Sequence, residues 1–310
     1  TDSTTTFSWD FDPLPRGDLV GVPEPVGPAS RTTGMVISEI HYHPRPQDDG
    51  LNLEFIELYN SQPWAEDLSG HRISGDVDYD FPEGTKIAGE GYLVVAVSPA
   101  DLKKHYGISS VLGPMSGSLP NSSGTLRLRN RPGALLLEVG YGDRDPWPVA
   151  ADGFGHSLVL ARPSYGQGNV EGWFASQSLD GSPGRADAVA ANLYSGLLIN
   201  EFLAHTDDLI LDYVELYNYS DRDLDLSGCQ VTDSISMVGF TFPEGSNIPA
   251  RGFVALDQSQ LGFSLSSKGE AIVVRTPEGG RVIDSVRFGG QQNGVSSGRF
   301  PDGSLHWSSL

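Results

Sequence analysis

The chain has 310 residues, enough for about two domains, each with its own core. Its 40 acidic residues against 20 basic ones give a net charge of −20. That balance argues against nucleic-acid binding and against docking on an anionic membrane, both of which need clustered Lys and Arg. No run of 18 apolar residues marks a membrane-spanning helix, and the single cysteine, Cys229, excludes an internal disulfide and a cysteine-based zinc site.

Residues 1–33 carry Pro13, Pro15, Pro23, Pro25 and Pro28 and no clear period, which reads as an extended leader or the end of a preceding domain. Thr1-Asp2-Ser3-Thr4 lacks the basic and apolar regions of a signal peptide, so a mature or excised piece is expected. Short runs rich in β-branched, Leu and aromatic residues follow at Val36–Tyr42, Glu54–Asn60, Gly91–Val97, Thr125–Arg129, Ala134–Val139 and His156–Leu160. Gly, Pro, Asn, Asp and Ser separate them, the punctuation of strands and turns. One helix is predicted at 98–107, with Ser98 as N-cap, Pro99 at the first position, Lys103, Lys104 and His105 in the last turn and Gly107 after it. A tail, roughly Pro146–Ala188, carries Trp147, Trp173 and the turn Asp180-Gly181-Ser182-Pro183-Gly184. Gly184–Gly196 joins this part to the next, with 189–195 as the linker proper.

The chain then repeats itself. Ile37-Ser38-Glu39-Ile40 returns as Ile199-Asn200-Glu201-Phe202, and Glu54-Phe55-Ile56-Glu57-Leu58-Tyr59-Asn60 as Asp212-Tyr213-Val214-Glu215-Leu216-Tyr217-Asn218. Asp67-Leu68-Ser69-Gly70 returns as Asp225-Leu226-Ser227-Gly228, and Phe81-Pro82-Glu83-Gly84 as Phe242-Pro243-Glu244-Gly245. Gly91-Tyr92-Leu93-Val94-Val95 is matched by Gly252-Phe253-Val254-Ala255-Leu256. A period of about 160 residues is too long for a solenoid repeat and marks two copies of one domain. The predicted organisation is therefore 34–188 for copy one and 196–310 for copy two. Copy two replaces the helix with Asp257–Leu261 and lacks a clear equivalent of the tail, so its last stretch reads as cut short or continued elsewhere. Many short strands with turns between them predict an all-β protein of two tandem β-sandwiches with very little helix.

As an ensemble these blocks resemble the bacterial lamin-tail domain. Gly155-His156-Ser157-Leu158, Trp173 and Ser182-Pro183-Gly184 complete the resemblance in copy one. The resemblance implies immunoglobulin-like sandwiches without catalytic activity. It also implies a secreted or cell-surface bacterial setting and an interaction role, as spacer, adhesive or assembly unit. The implied partners are other protein chains or further domains, with a homo-oligomer or fibre formed by strand pairing at exposed sheet edges.

Glu39 and Glu57 recur as Glu201 and Glu215. Alternation sets Phe55, Glu57 and Tyr59 on one strand face and Glu54, Ile56 and Leu58 on the other, so Glu57 is expected to be partly covered. A covered carboxylate must be paired, hydrogen-bonded or protonated. Recurrence in both copies favours a structural role, pinning a loop; a cation site or an acid–base pair are the alternatives. Asp76, Asp78 and Asp80 alternate, as do Asp221, Asp223 and Asp225, and such oxygen-rich runs suit Ca²⁺ without matching the EF-hand spacing. The bland reading is a solvated strand face and Asp-driven turns, with no cofactor required. His41 and His43 face the same way on one strand and read as surface residues before Pro44, with a metal as the alternative; copy two has only His205 there. No Gly-x-Ser-x-Gly, Walker or His-Glu-x-x-His motif is present, and Cys229 reads as a small half-buried residue. Trp64, Trp147 and Trp173 cap the core or form a sugar-stacking platform; the platform would make the chain a polysaccharide-binding accessory module.

Overall fold

The computed structural model describes residues 24–47, 49–187, 193–207, 210–235, 239–304 and 306–310. Most of the leader and residues 189–192 of the linker lie outside them.

Each copy is two sheets packed face to face. In copy one the first sheet runs, in spatial order, Trp173–Ala175, Leu158–Leu160, Met35–His41, Phe55–Asn60, Tyr92–Ala96 and Val111–Leu112. Only the last strand pair is parallel. The second sheet runs Leu135–Gly142, Ser123–Arg129, Arg72–Gly75, Val77–Asp80 and Ser116–Gly117. The core between them takes the inward-facing residues of both sheets, among them Val36, Ile56, Leu58, Val95, Leu126, Leu128 and Val139, all fully buried. Each such side chain contributes about 1.5–3 kcal/mol on leaving water.

The first sheet is also covered on its outer face. Leu53, Phe55, Val94 and Ala96 pack there beneath Leu102 of the helix Pro99–Tyr106. That helix stops as the sequence predicts: Gly107 takes the left-handed conformation at φ 67°, and its N–H bonds the Lys103 carbonyl at 3.1 Å. Ser98 holds the N-cap position but its side chain makes no capping bond.

Copy two repeats the plan. Its first sheet runs Phe253–Asp257, Tyr213–Asn218, Leu197–Leu203, Ser297–Arg299 and Trp307–Ser309. Its second runs Phe240–Thr241, Gln230–Thr232, Ala271–Arg275 and Val282–Arg287. The short helix Gln258–Leu261 is started by a capping box from Asp257 and Gln260. Part of the tail that the sequence reads as missing is in place. Arg299 sits opposite Trp307 as Leu160 sits opposite Trp173, and Leu310 N–H bonds Ser296 O as Ser176 N–H bonds Ser157 O. The strand Ser297–Arg299 escapes a sequence reading because it has no β-branched residue. The buried Arg299 guanidinium takes the place of an apolar side chain, stacking on Trp307 and pairing with Asp284 at 3.2 Å.

Candidate functional site

The two repeated glutamates are brought face to face by one extra residue. Along Met35–His41 the pairing runs Ile37↔Leu58 and then Glu39↔Glu57, leaving Ser38 as a bulge. Ile37 and Leu58 point into the core. The bulge turns Glu39 to the outer face, beside Glu57, where strict alternation would have sent it inward. Copy two has the same bulge at Asn200, with Glu201 opposite Glu215.

In copy one the pair is sealed by the tail. Both residues are 1 % exposed. Ser182 donates its N–H to Glu39 Oε1 at 2.9 Å and its hydroxyl to Oε2 at 3.0 Å, and Ser157 donates its hydroxyl to Oε1. Glu57 accepts from the Gly184 N–H at 2.6 Å and from Ser38 Oγ at 2.7 Å. Gly181 has φ 88°, and a Cβ there would stand 2.4 Å from Glu39 Oε1, so the close approach needs glycine. Arg45 grips Asp180 in a bidentate pair at 2.8 and 2.9 Å, Tyr106 donates to its carbonyl, and His105 lies 3.4 Å from its carboxylate. Asp187 closes the segment on itself by accepting from the N–H groups of Gln177 and Ser178 at 2.5 and 3.1 Å.

Burial pushes the Glu39 carboxyl up to about 7, against the pull of Ser157 and Ser182. Burial, then the facing Glu39, raises Glu57 well above the ordinary carboxylate range. A cavity of about 390 Å³ borders the pair, lined also by Tyr59, Tyr92, Arg185 and Asp187. The oxygens of Glu39 and Glu57 nonetheless already accept protein N–H and O–H groups. That is the geometry of a pinned loop.

In copy two the same pair is half-buried. Glu201 accepts from the Tyr213 hydroxyl, and Glu215 from Asn200 Nδ2 at 3.1 Å. Burial raises Glu215.

The aspartate runs lie elsewhere. Asp78 and Asp80 do share an exposed strand face, and both are taken up by Arg72, at 2.6 and 3.7 Å. Asp76 accepts from the Thr125 N–H. Asp221 pairs with Arg251 at 2.8 Å, Asp223 accepts from the Ala250 N–H at 2.9 Å, and Asp225 from the Ser227 N–H at 2.8 Å. Among the described residues no group of three or more His, Cys, Asp or Glu is arranged to hold a metal ion.

Two expectations need correction, the surface placement of His41 and the half-burial of Cys229. His41 is fully buried edge-on against Phe55, and burial lowers it to about 4, because the strand it ends is covered on both faces. Cys229 is fully buried in the core of copy two, and burial raises its thiol. Of the tryptophans, Trp64 is exposed, while Trp147, half-buried, and Trp173, buried with its N–H on Gln167 O at 2.9 Å, both border one cleft.

What sequence reasoning missed altogether is the seam between the copies. Val149, Ala150, Phe154 and Ala175 of copy one form one apolar cluster with Ala271, Val273 and Val282 of copy two. Polar contacts frame it. His156 donates from Nδ1 to Ser176 O at 2.7 Å and accepts the Val282 N–H at Nε2 at 3.0 Å, which fixes a neutral ring. Burial lowers His156 to about 4. Arg275 donates to Phe154 O at 2.6 Å and lies over its ring, and Arg281 donates to Gln177 Oε1 at 2.8 Å. Asp152 accepts from His43 at 2.6 Å and from Arg287, which also lies 3.7 Å from Asp143. The only sequence hint was arginine at 275, 281 and 287, three times at six-residue spacing in a chain with few cations. Beside the seam lies a cleft of about 430 Å³ whose lining includes Trp147, Phe202, Phe288 and Trp307.

A comparison with curated proteins found no match. Among solved structures the chain is similar to the exo-β-D-glucosaminidase CsxA at 12 % identity, over 83 % of this chain and 26 % of that one, with a TM-score of 0.20. The chain thus spans about a quarter of that protein, and the likeness carries no argument. The Lamin Tail Domain profile matches twice, at residues 28–143 and 191–290. No helix among the described residues is long and apolar enough to cross a membrane. With two matched regions, a bulge and glutamate pair repeated in each, and an immunoglobulin-like sandwich built on both, the chain belongs to the lamin tail domain family, as two domains in tandem.

Proposed function

We propose that this chain is a rigid two-domain spacer and interaction module of a secreted or cell-surface bacterial protein, without catalytic activity and with other protein chains or neighbouring domains as its partners. The observation that carries this reading is the seam. A flexible pair of beads would need only a linker, yet here seven apolar side chains and three arginines from copy two tie the domains into one body. Such coupling suits a part that transmits position or load along a larger assembly. The carboxylate pair serves the same end, since it holds the tail from which half of the seam is built. The net charge of −20 favours solubility.

Calorimetry tests the reading. Coupled domains melt in one transition whose calorimetric and van't Hoff enthalpies agree, whereas two separate transitions would refute the rigid body.

Strand addition is the proposed mode of assembly. In copy one the Tyr92–Ala96 edge is covered by Val111–Leu112, but among the described residues Phe253–Asp257 pairs only with Tyr213–Asn218. No described strand lies on its outer edge, and Phe253 is 44 % exposed. Ala255→Pro, at a position whose N–H faces the outer edge, is expected to abolish any concentration-dependent growth in mass seen by light scattering; growth that persists would place the contact elsewhere.

A second reading, polysaccharide binding, is favoured by the aromatic-lined cleft beside the seam. Saturable quenching of tryptophan fluorescence by an oligosaccharide, lost in Trp147→Ala, would support it.

A further inference from the structure

The cleft beside the seam lies where copy two departs from copy one between its sheets. In copy one Ile40 pairs with Leu158, and both are fully buried. In copy two the same register sets Phe202 opposite Ser297, and Arg299 stands in the place of Leu160. Serine in the place of leucine leaves room, and Ser297 lines the cleft of about 430 Å³, a size within the roughly 300–1,000 Å³ of small-molecule sites.

Both copies build this cleft. Trp147, Trp173 and Phe174 come from copy one, and Phe202, Phe288 and Trp307 from copy two. Three of the chain's five tryptophans thus meet at one place. Trp307 is held by Phe202 at 5.5 Å and by the Arg299 guanidinium at 5.0 Å from its ring, so it is fixed before any ligand arrives. Polar groups stand beside the rings. Residues 285–288 border the cleft along the outermost described strand of the second sheet. Phe288 N–H bonds Glu270 O, which makes Ala271 and Arg287 a non-hydrogen-bonded pair. The N–H and carbonyl of Arg287 therefore turn to the outer edge, where no described strand lies. Apolar ring faces beside hydrogen-bonding groups match a pyranose, which carries C–H groups on its faces and hydroxyls around its rim.

The charges choose among sugars. Arg287 is paired with Asp152 and lies 3.7 Å from Asp143, and Arg299 is paired with Asp284. Both guanidiniums that line the cleft already have carboxylates, while the exposed Asp145 and Glu171 add negative charge in a chain of net −20. A uronate or a sulfate would be repelled there. Resting on the polysaccharide reading of this cleft, we propose that it binds an uncharged stretch of a sugar chain, clasped between the two copies, so that the site exists only while the seam is closed. Phe154 belongs to the seam but not to the lining, so it controls binding through the pairing of the domains.

Isothermal calorimetry and melting of the whole chain test this, with cellohexaose, maltohexaose, xylohexaose and chitohexaose as uncharged probes and hexagalacturonate as the acidic one. At least one uncharged probe is expected to bind with a millimolar or tighter Kd, and hexagalacturonate about ten-fold more weakly or not at all. Trp147→Ala and Trp307→Ala, one from each copy and each checked as folded by circular dichroism, should weaken binding by about ten-fold or more, and so should Phe154→Ala. Trp64→Ala, at an exposed tryptophan outside the cleft, should leave it unchanged. Neither heat of binding nor a rise in Tm with any uncharged probe would overturn the proposal and the polysaccharide reading together. Equal or tighter binding of hexagalacturonate would overturn the choice of sugar and leave that reading standing. Full affinity in Phe154→Ala would overturn the clasp.

Discussion

Ser182 holds Glu39 across 143 positions of sequence, its N–H on one carboxylate oxygen and its hydroxyl on the other. Those two residues tie the last segment of the first domain to its opening strand. The same segment then carries Gln177 to Arg281, while Ser176 orients His156 toward Val282. The pinned loop and the seam are thus one structure, and disturbing either should be felt in the other.

Gly181→Ala tests the pin. The new Cβ would strike Glu39 Oε1 in a backbone conformation that L-residues rarely adopt. A loss of about 2–4 kcal/mol in urea unfolding is expected, combining strain with displaced hydrogen bonds to a buried carboxylate. A loss below about 0.5 kcal/mol would mean that the loop moves aside freely.

The pair should also make stability depend on pH. Glu39 titrates near 7 when folded and near 4.5 when unfolded, so the native state holds the extra proton. Its contribution is complete below about 4.5 and is lost as pH rises to about 7, up to about 3 kcal/mol. Glu39→Gln should flatten that part of the denaturation profile between pH 4.5 and 7. An unchanged slope would show that the pair is ionised in the native state.

His156 acts in the opposite sense. Its folded value of about 4 lies below the ordinary 6.5, so its contribution is complete above 6.5 and declines as pH falls toward 4. Protonated Nε2 would present a proton to the Val282 N–H that it now accepts. Acidification is therefore expected to loosen the seam first, seen as faster hydrogen exchange at Val282 while the core amides of Val95 and Val139 stay protected. Uniform exchange across all three would count against it.

Adding millimolar CaCl₂ or EDTA should move the Tm by less than about one degree. The glutamates of copy one already face N–H and O–H donors, and the aspartate runs are engaged by Arg72, Arg251 and turn amides. A rise of several degrees with Ca²⁺ would reveal a native-state cation site by linkage.

Strands and helix were legible because each rests on local chemistry. The run from Phe55 to Asn60 gathers Phe, Ile, Leu and Tyr between turn residues, and Pro99 and Gly107 bracket a helix without outside help. The duplication made the architecture readable too, since fold-bearing residues such as Glu57 and Glu215 return in register. The bulge was not legible: Ser38 and Asn200 look like any small polar residue in a strand, and only the pairing shows that one position is extra. Nor was the burial of His41, which depends on a helix and a tail that cover the second face of its sheet. The seam escaped for a similar reason. Phe154 reads as a turn residue and His156 as the start of a strand, and nothing local says that Val273 and Val282 bury this stretch from the next domain.

The rigid pairing of the two domains is open to direct measurement. Spin labels at Glu83→Cys and Glu244→Cys, equivalent exposed turns, would read it most directly, with Cys229 too buried to react. One narrow distance distribution is expected at pH 7, broadening in Phe154→Ala, where loss of the buried ring costs the seam about 3–5 kcal/mol. A broad distribution in the unaltered chain would contradict it.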